Sequence, residues 1–208
     1  MDFIHNTNIM LYILAYLLGG IPFGYLLAKK FAGVDIKSEG SKSIGATNVL
    51  RVVKESNPEL AKKLGLATII LDALKGALPV LICALIGVPL ETVWAMAVLA
   101  VFGHCFSPYL MFEGGKGVAT GVGVAAVLLP LQTVVALIVW FVSAKVIKIS
   151  SLASLLGLAG LLVASFTSLP QPFAIGTITP MVIIAILIVY KHIPNITRLI
   201  KGEESRVV

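Results

Sequence analysis

With 208 residues, of which 58% are hydrophobic and 12% charged, and a mean hydropathy of +1.01, the chain lies outside the range of a water-soluble globular domain. Lipid must be the solvent for most of it. The net charge of +6 comes without a basic helix or an aromatic nucleic-acid motif, so it speaks for membrane topology and anionic headgroups, and no nucleic-acid partner is expected.

A bilayer core about 30 Å thick takes roughly 20 apolar residues per helix. Residues 10–28 form the first such window and end at Lys29 and Lys30. No basic residue precedes it and no small-residue cleavage site follows, so it is expected to be an uncleaved span. Residues 31–64 form the one long polar segment, GVDIKSEGSKSIGATNVLR followed by KESNPELAKK, where Ser56 and Glu59 have the spacing of a helix start. Further spans are expected at 65–88, 92–112, 149–168 and 173–190.

Residues 118–144 carry no charge and have Pro130 near their middle, long for one helix and short for two. If Pro130 is a turn, helices at about 118–129 and 131–147 result, and fifteen of the sixteen Lys and Arg residues fall on one side, with Lys75 inside a span. A single span would move six of them across, which the positive-inside rule disfavours. The expected fold is an all-α integral membrane protein of about seven transmembrane helices, some short or broken. Its N-terminus would lie outside and its C-terminus in the cytoplasm. One domain is expected over 1–208, with cytoplasmic loops at about 31–64, 113–117 and 145–150 and a cytoplasmic tail, 191–208. The outer connections GVPLE and SLPQP are short and carry no chemistry. Cys83 and Cys105 fall inside spans, without metal-ligand spacing, as packing residues.

Glu113-Gly114-Gly115-Lys116-Gly117 opens the short helix near Val118. Glycines admit an oxyanion close to backbone N–H groups, the helix N-terminus adds unpaired donors, and Lys116 adds a charge. Ser41 to Arg51 reads in the same way: Gly40, Gly45, Ser43 and Thr47 offer donors, Asn48 positions a hydroxyl, and Arg51 grips a phosphate in a two-pronged contact. His192, Asn195 and Arg198 are spaced by three, one stripe of a helix unless Pro194 restarts it. A neutral His beside an Asn suits orienting or deprotonating an alcohol. Asp72 and Lys75, at i and i+3 inside a span, either serve function or neutralise each other, and His104 is open in the same way.

No nucleophile elbow, metal-binding cluster, HxxxxD acyltransferase pattern or aspartate-rich run occurs. Clusters of Gly, Lys, Arg, His and Asn without metal, cofactor or nucleophile fit a reaction between two phosphate-bearing substrates, driven by positioning and charge. A small anion permease and a membrane scaffold are the rival readings.

Gly40-Ser41 with GATNVLR, then GGKGVATGVG, then His192-x-x-Asn195-Ile196-x-Arg198-Leu199, in that order along nearly the whole chain, closely resemble the bacterial acyl-phosphate:glycerol-3-phosphate acyltransferases (the PlsY type). The LDALKG run with Asp72 and Lys75 and the Gly103-His104 pair belong to the same likeness. Ser43, where members often have Asn, and Pro194, where a polar residue is common, depart from it. The resemblance implies transfer of a fatty acyl group from acyl phosphate to the sn-1 hydroxyl of glycerol 3-phosphate, giving lysophosphatidic acid and phosphate, the first acylation of phospholipid synthesis. It implies a bacterial inner-membrane enzyme whose site faces the cytoplasm and whose partners are glycerol 3-phosphate, acyl phosphate and membrane lipid. By position, Ser41, Arg51, Lys116, His192 and Asn195 would be catalytic. Gly45, Thr47, Asn48, Gly114, Gly115, Gly117 and Arg198 would bind substrate or phosphate, with Asp72, Lys75 and His104 in support. The proton acceptor would be His192 or a substrate phosphate oxygen, no carboxylate being placed for it.

Overall fold

The computed structural model describes residues 6–167 and 170–206, and every regular element among them is helical. The first is α1 (Thr7–Gly20), which stops where Pro22 removes a backbone donor. The chain re-forms as α2 (Phe23–Leu27) and a π-helical turn (Ala28–Ala32), bent by 41° from α1. The span expected over 10–28 is thus broken at Ile21–Pro22, and the freed Ile21 carbonyl accepts from Lys75 Nζ at 2.7 Å.

Amphipathic α3 (Ala46–Lys54) buries Val49, Val52 and Val53 against Ile36, Ile44 and Leu64. Next, α4 (Pro58–Leu85) is capped by Asn57, whose side chain accepts the Leu60 N–H, with Pro58 in the first turn where a missing donor costs nothing. It therefore begins ahead of the expected residue 65 and shortens the polar loop. This helix exposes Leu66, Ile70, Leu78 and Ile82 and buries Thr68, Asp72 and Lys75. That is the reverse of a helix in water and the pattern of one solvated by lipid.

After α5 (Leu90–Cys105), α6 (Val118–Leu128) and α7 (Pro130–Ile147) are separated at Leu129, with Pro130 starting the new helix. They are followed by α8 (Ser150–Ser165) and α9 (Thr179–Ile200). The restart expected at Pro194 does not occur, and α9 runs through it unbroken. Pro194 lies on the exposed face together with Tyr190, whose carbonyl loses its helical donor to the proline. Among the described residues four helices are long and apolar enough to cross a membrane, five if α1 and α2 form one bent span, while α6 and α8 are shorter. The connection SLPQP, expected on the outer side, includes Ser168 and Leu169, and the span expected over 149–168 ends at Ser168, both outside the described residues; the first five residues of the chain also lie outside them.

The helices pair as α1 with α5, α4 with α6, and α7 with α8. Gly103 lies on the Tyr16 carbonyl and Gly123 on that of Ala73, so close that a methyl at either would overlap the facing backbone. Because α7 and α8 pack chiefly on each other, a cleft remains between this hairpin and α4, α6 and α9.

Candidate active site

The cleft is a cavity of about 530 Å³, and three helices begin at its polar end. There α3 starts behind Gly45 with Ala46 and Thr47, α6 behind Gly117 with Val118 and Ala119, and α8 with Ser150 and Ser151, all of them lining residues. First-turn N–H groups lack partners within their own helix and carry the positive end of its dipole, so three such ends facing one space favour anions. Arg51, Lys116 and Arg198 line the same end.

The loop before α3 is organised by Asn48, which is 1% exposed. Its Oδ1 accepts from the Ser41 N–H at 2.8 Å, and its Nδ2 donates to the carbonyls of Ile36, Ser43 and Glu39 at 2.9, 2.9 and 3.2 Å. Every polar atom of the amide is spent on backbone. Asn48, expected to contact substrate, therefore shapes the loop that presents Ser41 and Thr47. Thr47 Oγ1 lies 3.3 Å from Ser150 Oγ, joining the starts of α3 and α8.

The Gly114 N–H donates to the Cys105 carbonyl at 3.2 Å and the Gly115 N–H to that of His104 at 2.9 Å. Neither glycine lines the cavity, and both of the N–H groups expected to bind phosphate at Gly114 and Gly115 are bonded within the fold. They tie the turn to the end of α5 instead, with Gly115 against the His104 ring. Free N–H groups come from the turn of α6 after Gly117, itself at φ 82°. Lys37 pairs with Glu113 at 3.0 Å and holds the two polar loops together; its hydrogen bond and charge keep the exposed Glu113 carboxyl below its ordinary range. Burial pushes Lys116 down to about 8, opposed by Glu204 and reinforced by Arg198 and Arg51.

On α9, His192 is 1% exposed and its Nδ1 lies 2.8 Å from the Ile188 carbonyl. A carbonyl only accepts, so Nδ1 carries the proton and Nε2 keeps its lone pair. One and two turns on, Asn195 Nδ2 and Arg198 Nε each donate to the Glu204 carboxylate at 2.6 Å. Ser151 Oγ donates to the same carboxylate at 2.7 Å. Burial works to raise the Glu204 carboxyl, but the three hydrogen bonds and the charge of Arg198 outweigh it and leave it below its ordinary value.

Asp72 and His104 line the cavity, whereas Lys75 lies behind the wall. Lys75 Nζ sits 2.7 Å from Asp72 Oδ1, and the His104 Nδ1 lies 3.8 Å from that oxygen. Away from the polar end the cavity becomes apolar along Leu137, Trp140, Leu158, Leu161 and Met181. Ile69, Leu137 and Trp140 belong both to this lining and to the exposed lateral surface.

The structure thus gathers Ser41, Gly45, Thr47, Asn48, Arg51, Lys116, Gly117, His192, Asn195 and Arg198 around one cavity. Sequence reasoning missed Ser150, Ser151, Glu204 and Ser205. Two signals were present: a pair of serines at a helix start beside the membrane, and two acids in an otherwise basic tail.

A family model described as glycerol-3-phosphate acyltransferase matches residues 9–202. The chain is 62% identical to proteins named glycerol-3-phosphate acyltransferase from Aliarcobacter butzleri and Sulfurimonas denitrificans, covering 100% of this chain and of each relative. A crystal structure of PlsY (YgiH), an integral membrane glycerol 3-phosphate acyltransferase, in its glycerol 3-phosphate form aligns with a TM-score of 0.85 at 32% identity, over 98% of this chain and 96% of that one. The lysophosphatidic acid form aligns with a TM-score of 0.83 at 33% identity, over 97% and 95%. With the match running almost from end to end, the chain belongs to the glycerol-3-phosphate acyltransferase family.

Proposed function

We propose that this membrane glycerol-3-phosphate acyltransferase takes its acyl group from acyl phosphate and attaches it to the sn-1 hydroxyl of glycerol 3-phosphate, releasing lysophosphatidic acid and inorganic phosphate. The observation that carries this reading is a single cavity with an anion-binding end built from three helix starts and three cationic side chains, continuous with an apolar arm. Two phosphates and one fatty chain match those surfaces. The acceptor and product forms in which PlsY has been solved support glycerol 3-phosphate as the acceptor and lysophosphatidic acid as the product.

Arg198 holds the phosphate of glycerol 3-phosphate while Asn195 and His192, up to two turns back along the helix, orient its hydroxyl. The starts of α3 and α6, with Ser41, Thr47, Arg51 and Lys116, hold the phosphate of the donor. The hydroxyl oxygen attacks the acyl carbon directly, and the bond from that carbon to the phosphate oxygen breaks. The proton passes to His192 Nε2 or to the departing phosphate. Donors preset around both phosphates stabilise the developing charge without reorganising.

In this reading the bent α1/α2 pair and α4 to α9 make seven crossings of one domain, with the N-terminus outside and the site on the cytoplasmic side of a bacterial inner membrane. The placement of the basic residues supports it. Purified protein given radiolabelled glycerol 3-phosphate with acyl phosphate, acyl-CoA or acyl carrier protein tests the proposal. A lipid product with free phosphate is expected from acyl phosphate, and turnover with either thioester alone overturns the donor.

A further inference from the structure

We propose that Glu204 is a positioning residue of the glycerol 3-phosphate subsite, an inference that rests on the function proposed above. The path of the chain after α9 places it. Gly202 sits at φ 72°, its N–H donates to the Leu199 carbonyl at 3.1 Å, and the Glu203 N–H donates to that of Arg198 at 2.8 Å. This double closure reverses a chain at the end of a helix, and a left-handed φ there favours glycine. The reversal carries Glu204 back along the stripe of Asn195 and Arg198, where its side chain is 9% exposed.

The carboxylate then fixes which atoms of its neighbours remain for a ligand. Its Oε1 accepts from Asn195 Nδ2 and Ser151 Oγ, and its Oε2 accepts from Arg198 Nε. With one Nδ2 hydrogen held by the carboxylate, the amide is fixed in orientation and its Oδ1, an acceptor that can orient a hydroxyl for attack, takes no bond from Glu204. With Nε engaged, Arg198 is left with its two Nη groups, which suit the paired oxygens of a phosphate. The two side chains are three residues apart on a helix, roughly 5–6 Å between Cβ atoms. That separation suits the hydroxyl and the phosphate of one glycerol backbone. The next residue, Ser205, accepts from Arg51 Nη2 at 2.9 Å, so two consecutive tail residues bracket α3, α8 and α9 around the opening.

A carboxylate in this place has an alternative meaning of opposite sign. If it filled the anion site as a surrogate phosphate, it would compete with substrate, and its removal would tighten binding. The kinetics separate the two. Full-length protein in nanodiscs is assayed with saturating acyl phosphate and varied glycerol 3-phosphate, as wild type, Glu204→Gln and Gly202→Ala, each checked for folding by thermal unfolding. Glu204→Gln sets an N–H donor against donors; KM for glycerol 3-phosphate is expected to rise at least ~10-fold, as loss of a charged hydrogen bond does, with kcat within about threefold. KM for acyl phosphate stays put. Glu204→Asp, which keeps the charge, recovers part of the loss. Gly202→Ala keeps every donor and acceptor while straining the turn, and raises the same KM by less.

An unchanged or lowered KM in folded Glu204→Gln overturns the proposal. Should that variant not fold, Gly202→Ala decides alone: an unmoved KM overturns it. Absence of lysophosphatidic acid from the wild type ends the functional reading and this inference together, whereas wild-type turnover with unmoved variants ends the inference only.

Discussion

The Cα of Gly115 rests against the His104 ring with no room between them for a methyl group. The turn that carries Lys116 is thereby seated on the end of α5. Gly115→Ala is expected to push that turn outward and to lower kcat/KM by roughly 100-fold, the scale of an ångström of misplacement at a reacting centre. Gly45→Ala is the contrast, since a methyl there meets only Ser43 Oγ at 3.9 Å. It should fold with an unchanged Tm, and any loss of activity then reports ligand in the space beside Gly45.

Lys116 and Arg51 face the same anion site, and Lys116→Ala or Arg51→Ala is expected to abolish most activity in folded protein. Near-normal turnover in both would remove the site from this cavity. The pH dependence has a definite sign. The folded chain holds Lys116 at about 8 against 10.5 for a free lysine. Between those values the unfolded chain binds the extra proton, so stability rises with pH across that window, and below about 8 the full cost of burying the charge remains. Lys116→Met should erase that slope and raise the Tm at pH 7 while losing activity. In the wild type, KM for acyl phosphate should climb above pH 8 as the ammonium is lost.

His192 keeps its Nδ1–H on the Ile188 carbonyl at 2.8 Å. An asparagine can repeat that hydrogen bond but lacks a group at the position of Nε2. His192→Asn is expected to cut kcat by about 10²- to 10⁴-fold, the range for losing a positioned acid or base, with little change in KM. An equal rise in KM, seen in steady-state assays, would make His192 a binding residue instead.

Asp72 and Lys75 are buried together at 2.7 Å. Asp72→Asn leaves the ammonium without its counter-ion and should destabilise the fold by about 3–5 kcal/mol. Asp72→Asn combined with Lys75→Met should recover most of that in thermal unfolding. If the double variant is folded yet inactive, the pair contributes to the reaction as well as to the fold.

The helices were legible wherever lipid dictated an uninterrupted apolar run, and the division at Pro130 was legible from charge placement, since a single span would carry six basic residues across the membrane. The break at Ile21–Pro22 was less visible, because a proline in an apolar run is compatible with either a kink or a straight passage. Of the site, spacing exposed the stripe of His192, Asn195 and Arg198, since residues three apart share a helix face. Asn48 lies at the cavity as expected, but its bonds to the loop backbone were not legible, because composition cannot tell which carbonyls will claim an amide. Glu204 was out of reach for a related reason: its approach depends on the reversal at Gly202, and no local pattern relates it to Ser151, 53 positions earlier.

The apolar arm of the cavity is bordered by Ile69, Leu137 and Trp140, which also belong to the exposed lateral face. For a donor of the proposed kind, head and tail then reach the reaction centre from different phases, the charged part through water and the hydrocarbon sideways from the bilayer. The new ester can slide back into the plane of the membrane by the same flank, its chain never having been wetted.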